Sequence, residues 1–200
     1  MELNIEQRSS AWFEARKGIP TASCYKKIIT STGKPAASAG TYMNELLAEW
    51  LGASEEPFEN EWMARGTELE PHARALYELT TDLEVEEVGF VTGLDGNTGG
   101  SPDGLTKKGG LEIKCPKAST HIKYLLAGKC PADYYPQVQG CMWLCEKDKW
   151  DFFSYHPELP PFLITVERDA AFIESLENEL KKFVAKMLEK RNQLTKITEI

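Results

Sequence analysis

The chain has 200 residues, 42% of them hydrophobic, which is enough to bury the core of one globular domain spanning residues 1–200. It contains no run of about 18 uncharged apolar residues, which excludes a membrane-spanning helix. The first residues lack the basic and then apolar pattern of a signal peptide, so we expect a cytoplasmic protein. The net charge of −8, taken alone, argues against a nucleic-acid partner.

The charges are distributed unevenly along the chain. Residues 1–34 carry six Lys and Arg against three Glu, whereas residues 45–90 carry thirteen acidic residues against two Arg. Residues 91–200 are balanced, with fifteen of each sign. A basic N-terminal patch beside an acidic exterior is compatible with a DNA-binding cleft, although charge alone favours the simpler interpretation of a solvated acidic surface.

The N-terminal part of the chain is predicted to be mostly helical. Ser9 or Ser10 caps a first short helix that ends before Gly18, and residues 31–41, rich in Ser, Gly and Ala, form a loop. Pro71 is expected to kink the fourth and longest helix. In chain order, the four helical patterns are SSAWFEARKG, TASCYKKIITS, YMNELLAEWLG and EWMARGTELEPHARALYELTT.

The rest of the chain changes to short runs of β-branched and aromatic residues, bounded by Gly, Pro and Asp, which predict strands. Two helical patterns, STHIKYLLAG and ADYYPQVQGCMWLCE, lie between the third strand and the fourth, and Asp169 caps a terminal helix. The predicted fold is an α/β sandwich in which helices flank a small mixed sheet. The predicted strands are LEVEEVGFVTG, TGGSPDGL, GLEIKCP, KWDFFSYH and PFLITVERD.

The cysteines give no framework for disulfides or metal. There are five of them, an odd number without a Cys-x-x-Cys pair, and we predict reduced, mostly buried thiols. Cys141 and Cys145 can share one helix face, but without histidine partners they make a weak case for zinc.

The stretch GGSPDGLTKKGGLEIKCP has the appearance of a β-hairpin that carries charged groups. Residues 99–105 and 110–115 are predicted to pair as neighbouring strands joined by the turn TKKG. Residues two apart on a strand project from the same face, so Glu112 and Lys114 should lie side by side. Asp103, on the neighbouring strand, should reach the same edge.

These three residues have the chemistry of a metal-dependent hydrolase. Two neighbouring carboxylates repel each other unless a cation neutralises them, and Mg²⁺ prefers such oxygen ligands. A lysine beside the cation would stabilise the charge of a phosphorane or, with a lowered pKa, help to deprotonate an attacking water. Glu-x-Lys alone is uninformative, since Glu179 and Lys181 repeat it on the terminal helix. The alternative for the whole pattern is an exposed, charged hairpin.

The pattern is the signature of the PD-(D/E)XK nuclease superfamily, and the wider sequence resembles the phage lambda exonuclease and YqaJ-type viral recombinase family. The resemblance extends in order from about Ala11 to the terminal helix. It implies a restriction-endonuclease-like core and a single nuclease domain over residues 1–200. The blocks that carry it are AWFEARKGIPTAS, RGTELEPHAR, SPDGL, LEIKCP, YYPQVQGCMW and FFSYHP.

The resemblance also implies an activity. The expected enzyme is a Mg²⁺-dependent 5′-to-3′ exonuclease, with Mn²⁺ as an alternative metal, which digests double-stranded DNA from an end and leaves a 3′ single-stranded overhang. The expected partners are DNA ends, a single-strand annealing protein of phage recombination, and two further copies of the chain in a homotrimeric ring. Localisation would be the host cytoplasm if the chain is phage-encoded.

The catalytic roles of the family transfer to matching positions. Asp103 and Glu112 resemble its metal-binding carboxylates, with the carbonyl group of Ile113 as a further ligand, and Lys114 resembles its catalytic lysine. Glu70, in GTELEP, resembles a helical glutamate that completes the acidic site. Without the resemblance, Glu70 would be one of many acidic residues on a solvated surface.

Two tyrosines and two glutamines follow in the block YYPQVQ. Gln137 resembles a glutamine that lines the active site of the family. Gln139, two residues further on, would face elsewhere on a helix. Tyr134 and Tyr135 are either core aromatics or DNA contacts.

Arg16 and Ser23, with Ser101 nearby, resemble residues that hold the terminal 5′ phosphate in the family. Arg forms a bidentate fork on phosphate, and hydroxyl groups add donors. The alternative for Arg16 is a helix-end cation. Met63 occupies the place of an apolar residue that separates the strands at the duplex end, with core packing as the alternative.

Two other functions are compatible with the same residues. One is a structure-specific or restriction-like endonuclease with the same metal site, and the other is a DNA-binding protein that retains the fold without activity. The compact turn TKKGG and the composition of STGKPAASAG differ from the family, and the basic content is modest for a DNA enzyme.

Overall fold

A computed structural model of the chain describes residues 1–53 and 61–198, except for the side chains at 62, 63 and 198. None of the described helices is long and apolar enough to cross a membrane. The described strands are β1 (Glu2–Leu3), β2 (Phe90–Gly93), β3 (Thr98–Gly100), β4 (Gly104–Thr106), β5 (Gly109–Lys114), β6 (Lys149–Ser154) and β7 (Phe162–Glu167). The described helices are α1 (Ser10–Arg16), a 3₁₀ helix (Ala22–Lys27), α2 (Ala39–Trp50), α3 (Glu61–Thr81), α4 (Ala118–Ala127), α5 (Tyr135–Leu144) and α6 (Ala170–Thr198).

Several helix boundaries follow local sequence signals. Ser9 caps α1, because its Oγ accepts the Trp12 N–H at 3.3 Å, and Asp169 caps α6 by accepting the Phe172 N–H at 2.9 Å. Both predicted caps are confirmed. The prediction of an α-helix over the segment TASCYKKIITS is wrong. Only Ala22–Lys27 is helical there, and it forms a 3₁₀ helix. Isolated β-bridges hold the chain on both sides of it and leave room for a short, tight helix only.

The described strands form two sheets, of three and four strands. β1, β2 and β3 pair antiparallel. The order β4-β5-β6-β7 is mixed, since β5 and β6 are parallel. The α/β class with helices flanking a small mixed sheet is confirmed, but a second sheet lies beside it. The predicted strand LEVEEVGFVTG is mostly outside the sheets, and only Phe90–Gly93 forms a strand.

The predicted strand over residues 99–105 is wrong, and the difference positions the site. Its first part belongs to β3, which pairs with β2, and its last part is β4, which pairs with β5. The predicted hairpin with residues 110–115 therefore holds only for β4. Ser101, Pro102 and Asp103 link the two sheets. Pro102 has no N–H to donate to a ladder, which explains why the pairing stops there.

Both faces of the four-stranded sheet are covered. Consecutive residues of a strand face opposite sides, so Phe152 packs in a large cluster with residues of the 3₁₀ helix, α2, α5 and α6, whereas Phe153 packs against Tyr77 of α3. β5 lies between these layers, and each of its residues from Gly109 to Ile113 is buried. A charged group on β5 must therefore find its partners inside the fold.

Candidate active site

A cavity of about 180 Å³ opens where the two sheets meet. Its walls come from the N-terminal segment, the 3₁₀ helix, the link between β3 and β4, the end of β5, and α5. The cavity brings together most of the side chains that the sequence predicted for the site, which are Arg16, Ser23, Ser101, Asp103, Glu112, Lys114 and Gln137.

Glu112 is the most deeply placed of the charged residues, with no exposed surface. Its Oε1 accepts a hydrogen bond from Gln137 Nε2 at 2.6 Å and is in ion-pair contact with the Lys114 Nζ. Its Oε2 is buried without a hydrogen-bond partner among the described residues. A buried carboxylate oxygen without a partner is costly, and a cation would supply the missing contact.

Asp103 lies next to Glu112 at the end of the link between the sheets. Its Oδ2 accepts the backbone N–H of Ile113 at 2.6 Å. Burial, and then the charge of Glu112, raise the pKa of Asp103 to about 8, against the opposing effect of Lys114. Two neighbouring carboxylates that repel each other are a suitable pair for a divalent cation.

Lys114 is held as a cation. Burial by itself would lower its pKa, but the carboxylates of Glu112 and Asp103 outweigh burial and raise the pKa above the ordinary value. Its Nζ also lies 5.2 Å from the centroid of the Tyr134 ring. The pKa direction is opposite to the one that a general base requires. This direction belongs to the metal-free chain, because a cation bound by the two carboxylates would weaken their effect on Lys114. Both predicted roles of Lys114 therefore stay predictions.

Glu70 lies near Asp103 and Glu112, but its carboxylate contacts two arginines. Its Oε2 accepts from Arg8 at 2.7 Å, and its Oε1 lies 3.5 Å from Arg74 Nη2. It contributes to the raised pKa of Asp103. Among residues 1–53 and 61–198, no three His, Cys, Asp or Glu side chains come together as a metal cluster. Glu70 therefore lies beside the pair of Asp103 and Glu112, and its predicted part in the acidic site stays a prediction.

The residues of YYPQVQ divide into two groups. Gln137 is buried and donates to Glu112, so it fixes the orientation of that carboxylate. Gln139 faces away, as predicted, and its Oε1 accepts the N–H of Asp169 at 2.9 Å. Tyr135 donates to Asp169 Oδ2 at 2.9 Å. Gln139 and Tyr135 therefore hold α5 to the start of α6 and do not enter the cavity.

The predicted phosphate residues line the same cavity. Arg16 Nη1 is 3.3 Å from Ser101 Oγ, which also accepts from Trp12 Nε1 at 2.7 Å. The guanidinium lies 4.0 Å from the centroid of the Trp12 ring, and burial lowers its pKa. No described carboxylate lies within ion-pair distance of Arg16. Ser23 is exposed, with its Oγ 3.3 Å from Thr21 Oγ1.

Trp12, Gln7 and Arg8 are among the residues of the cavity that sequence reasoning missed. Trp12 donates a hydrogen bond to Ser101 and so orients it. An aromatic residue four positions before Arg16, in the block AWFEARKGIPTAS, was the sequence signal that could have indicated this contact. Gln7 donates to the Pro102 carbonyl at 2.8 Å and so holds the link between the sheets. Arg8 lines the cavity and pairs with Glu70. Nothing in the local sequence distinguishes Gln7 or Arg8 from surface residues.

The remaining predictions concern residues away from this cavity. The side chain of Met63 lies outside the described residues, so its predicted role stays a prediction. All five cysteines are free, as expected for reduced thiols. They are less buried than predicted, since only Cys141 is buried and the others are partly buried.

Comparison with known proteins identifies relatives over most of the chain. A family model of the YqaJ-like viral recombinase domain matches residues 11–148. An alkaline exonuclease from Laribacter hongkongensis is 38% identical, with a TM-score of 0.87 and coverage of 96% of this chain and 98% of that chain. A phage-related exonuclease from Haemophilus somnus is 19% identical, with a TM-score of 0.67 and coverage of 86% and 96%, and shares the fold. The ExoD protein of Escherichia coli K12 is 30% identical over 71 residues, which are 33% of this chain and 82% of that protein.

The fold and the match over residues 11–148 define the class. It is a restriction-endonuclease-like α/β fold, as the sequence predicted. The chain belongs to the family of YqaJ-like viral recombinase domains.

Proposed function

We propose that the chain is a metal-dependent exonuclease that digests double-stranded DNA from its ends in the 5′-to-3′ direction and leaves 3′ single-stranded overhangs. Its family and its 38% identity to an alkaline exonuclease support a nuclease that acts on DNA. The observation that carries the proposal is the buried Glu112 Oε2 without a partner, next to Asp103 and Lys114 and in the same cavity as Arg16.

Asp103 and Glu112, with the carbonyl group of Ile113, would hold Mg²⁺, or Mn²⁺ as an alternative. The fit rests on the pair of neighbouring carboxylates and on the unpartnered oxygen. A bound divalent cation supplies Lewis-acid stabilisation of phosphate oxygens and a more acidic water. Gln137 keeps Glu112 in position through its hydrogen bond.

Lys114 is the catalytic cation of the chain itself. Phosphodiester hydrolysis increases the negative charge on the phosphate oxygens in the transition state, and a fixed cation in a cavity of low dielectric stabilises that charge. In the metal-free chain, the carboxylates of Glu112 and Asp103 raise the pKa of Lys114 and so favour its protonated form. The role does not require the residue to accept a proton.

Arg16, Ser101 and Ser23 would hold the terminal 5′ phosphate. A half-buried guanidinium without a carboxylate partner among the described residues is suited to a phosphate, which it can bind in a bidentate manner. A pocket for the terminal phosphate fixes the scissile bond relative to Asp103 and Glu112. That arrangement favours cleavage from an end over cleavage within a strand.

The proposal includes the assembly and the partner that the family resemblance implies. Three copies would form a ring around duplex DNA, with the positively charged residues 1–34 towards the channel and the acidic residues 45–90 outside. The single-stranded product would pass to a single-strand annealing protein.

A time course on linear, nicked and closed circular DNA, with Mg²⁺ and with EDTA, tests the proposal. We expect linear DNA labelled at its 5′ ends to lose the label progressively in Mg²⁺, and closed circles to stay intact. Cleavage of closed circles would instead indicate an endonuclease. DNA binding with no nucleotide release in Mg²⁺ would indicate a DNA-binding protein without activity.

A further inference from the structure

A tight turn follows directly after Arg16. Gly18, two residues past the end of α1, has a φ of +71°, a conformation that favours glycine. A Cβ at this position would lie 2.9 Å from the Cβ of Trp50 and 3.2 Å from the carbonyl oxygen of Leu46. The turn therefore needs glycine both for its backbone conformation and for its close approach to α2.

Two distant helices hold this turn by its backbone. Arg191 of α6 donates from Nη2 to the carbonyl oxygen of Gly18, 173 positions earlier in the chain. The N–H of Gly18 donates to Glu49 Oε2 of α2 at 3.1 Å. The Arg191 guanidinium also lies 5.3 Å from the centroid of the Trp50 ring. Both polar groups of the Gly18 backbone are thus bound by side chains.

The turn is short, so the position of its backbone affects the position of Arg16. Gly18 lies two residues after Arg16, and the N–H of Ile19 closes the turn by donating to the Arg16 carbonyl oxygen at 3.3 Å. The Arg16 side chain then extends to Ser101. A shift of the Gly18 backbone would move Arg16 relative to Ser101, because no flexible segment separates them.

We propose that Arg191 is a positioning residue for the phosphate pocket, which it acts on through the backbone of Gly18. The inference rests on the proposed function, and it assigns to α6 a part in recognising the DNA end. Arg191 lies beyond residues 11–148, which the family model matches. Arginine suits the position because one planar group can stack on Trp50 and donate to a carbonyl at the same time, which lysine cannot do equally well.

The test measures initial rates on matched duplexes that differ only in a 5′ phosphate or a 5′ hydroxyl. The variants are Arg191→Met, which keeps an unbranched stem on Trp50 but removes the donor to Gly18, Arg16→Ala, and the double variant. Lys186→Ala is the matched control, because Lys186 is an exposed cation on the same helix. Thermal unfolding of each variant shows whether it is folded.

We expect the wild type to prefer the phosphorylated end about tenfold to a hundredfold, as one charge-assisted bond allows. Arg191→Met should reduce this preference about threefold to tenfold by slowing the phosphorylated duplex alone. The double variant should show the same preference as Arg16→Ala, since Arg191 acts only through Arg16. Lys186→Ala should keep the preference of the wild type.

Three results would overturn the inference. Arg191→Met could keep the full preference, it could slow both duplexes equally, or its effect could add to that of Arg16→Ala. If Arg191→Met does not fold, Glu49→Ala loosens the same turn from α2 and should reduce the preference in the same way. A wild type without any preference for the phosphorylated end would refute the phosphate pocket itself. This result is obtained with the wild type alone, so it is distinguishable from a failure of the inference about Arg191.

Discussion

Glu112 lies where burial of an ionised carboxylate costs free energy. Its side chain has no exposed surface, and only one of its oxygens is satisfied, by Lys114 and Gln137. Burial of an ionised carboxylate usually costs several kcal/mol unless partners compensate for the lost water. The site therefore stores repulsion between Glu112 and Asp103 that a divalent cation would relieve.

Asp103→Asn should make the metal-free protein less sensitive to alkaline pH. The pKa of Asp103 is about 8 in the folded chain against 3.8 ordinarily, so the folded state binds this proton more tightly than the unfolded state. That contribution to stability is fully present below about pH 4 and is lost as the pH rises through about 8. Because Asp103 keeps some exposed surface, we expect wild type to lose about 1–2 kcal/mol more than the variant between about pH 6 and pH 9.

Chemical unfolding in EDTA at both pH values measures this difference. Asp148→Asn, at an exposed position, is the matched control and should behave as wild type. Mg²⁺ should raise the melting temperature of the wild type and not that of Asp103→Asn. Equal pH dependence in all three proteins would contradict the assigned pKa.

Lys114→Arg should lose most of the hydrolytic activity while it still binds DNA ends. The substitution keeps the positive charge, but the planar guanidinium cannot take the place of a compact ammonium between Glu112 and Asp103. We expect a rate reduction of about tenfold or more, as for other misplaced transition-state charges. Single-turnover nucleotide release and end binding in EDTA separate the two effects. A rate near that of wild type would mean that charge alone suffices.

Arg16→Ala should slow hydrolysis of phosphorylated ends about tenfold to a hundredfold and leave hydroxyl ends nearly unchanged. The guanidinium lies against Ser101 and Trp12 without a described carboxylate partner, so its removal breaks no ion pair in the free protein. Initial rates on the two matched duplexes measure the effect. Equal slowing on both would indicate a general backbone contact or a helix-end cation.

At the scale of elements, α5 brings Gln137 to the site because it packs closely on the 3₁₀ helix. The contact depends on Gly140, where a Cβ would lie 2.5 Å from Tyr25 Cδ2, inside the van der Waals distance. Tyr25 has no exposed surface and is hydrogen-bonded to Thr98 at 2.7 Å. It cannot move aside without breaking that buried bond.

Gly140→Ala should therefore destabilise the fold by about 1–3 kcal/mol, the usual cost of overpacking. Gly66→Ala is the matched control, because Gly66 also lies within a helix but has no atom of the described residues within 4 Å of its Cβ position. The control should stabilise the protein by about 0.5–1 kcal/mol, since alanine is the better helix former. Chemical unfolding of both variants measures the difference in sign. Two stabilised variants would show that the packing of α5 is looser than the structure indicates.

Elements defined by neighbouring residues could be predicted, and those defined by distant partners could not. The caps Ser9 and Asp169 are local signals, and both are found. The run 99–105 has the composition of one strand, yet Gly99 pairs with Thr92 and Leu105 pairs with Gly110. No local pattern records that choice of partner, because it depends on which strands meet in the folded chain.

At the scale of the whole molecule, the net charge of −8 conceals an uneven distribution of charge. Arg8 and Arg16 line the cavity and belong to the positively charged residues 1–34, whereas Glu78 and Glu86 line a separate surface groove. When all charges are summed over the chain, the acidic residues of the groove outweigh the arginines of the cavity.

As with the fold, the part of the site that neighbouring residues define could be predicted from the sequence. Asp103, Glu112 and Lys114 stand close together in the sequence, and the structure brings them to one cavity. Gln7 contributes to that cavity through bonds to backbone carbonyl groups, and Arg191 reaches Gly18 from the far end of the chain. Such contacts depend on backbone positions and on long-range packing, which a single sequence does not reveal.

The link between β3 and β4 has a consequence for the length of the product. Ser101, which contacts Arg16, and Asp103, one of the two carboxylates, are two positions apart, a span of at most about 7 Å of extended chain. Gln7 holds the Pro102 carbonyl between them, and the Ile113 N–H holds the Asp103 carboxylate. Under the proposed function, this short and fixed link would keep the terminal phosphate at a constant distance from the metal-binding carboxylates. The length of the released product would then follow from the backbone and not from the identity of the base.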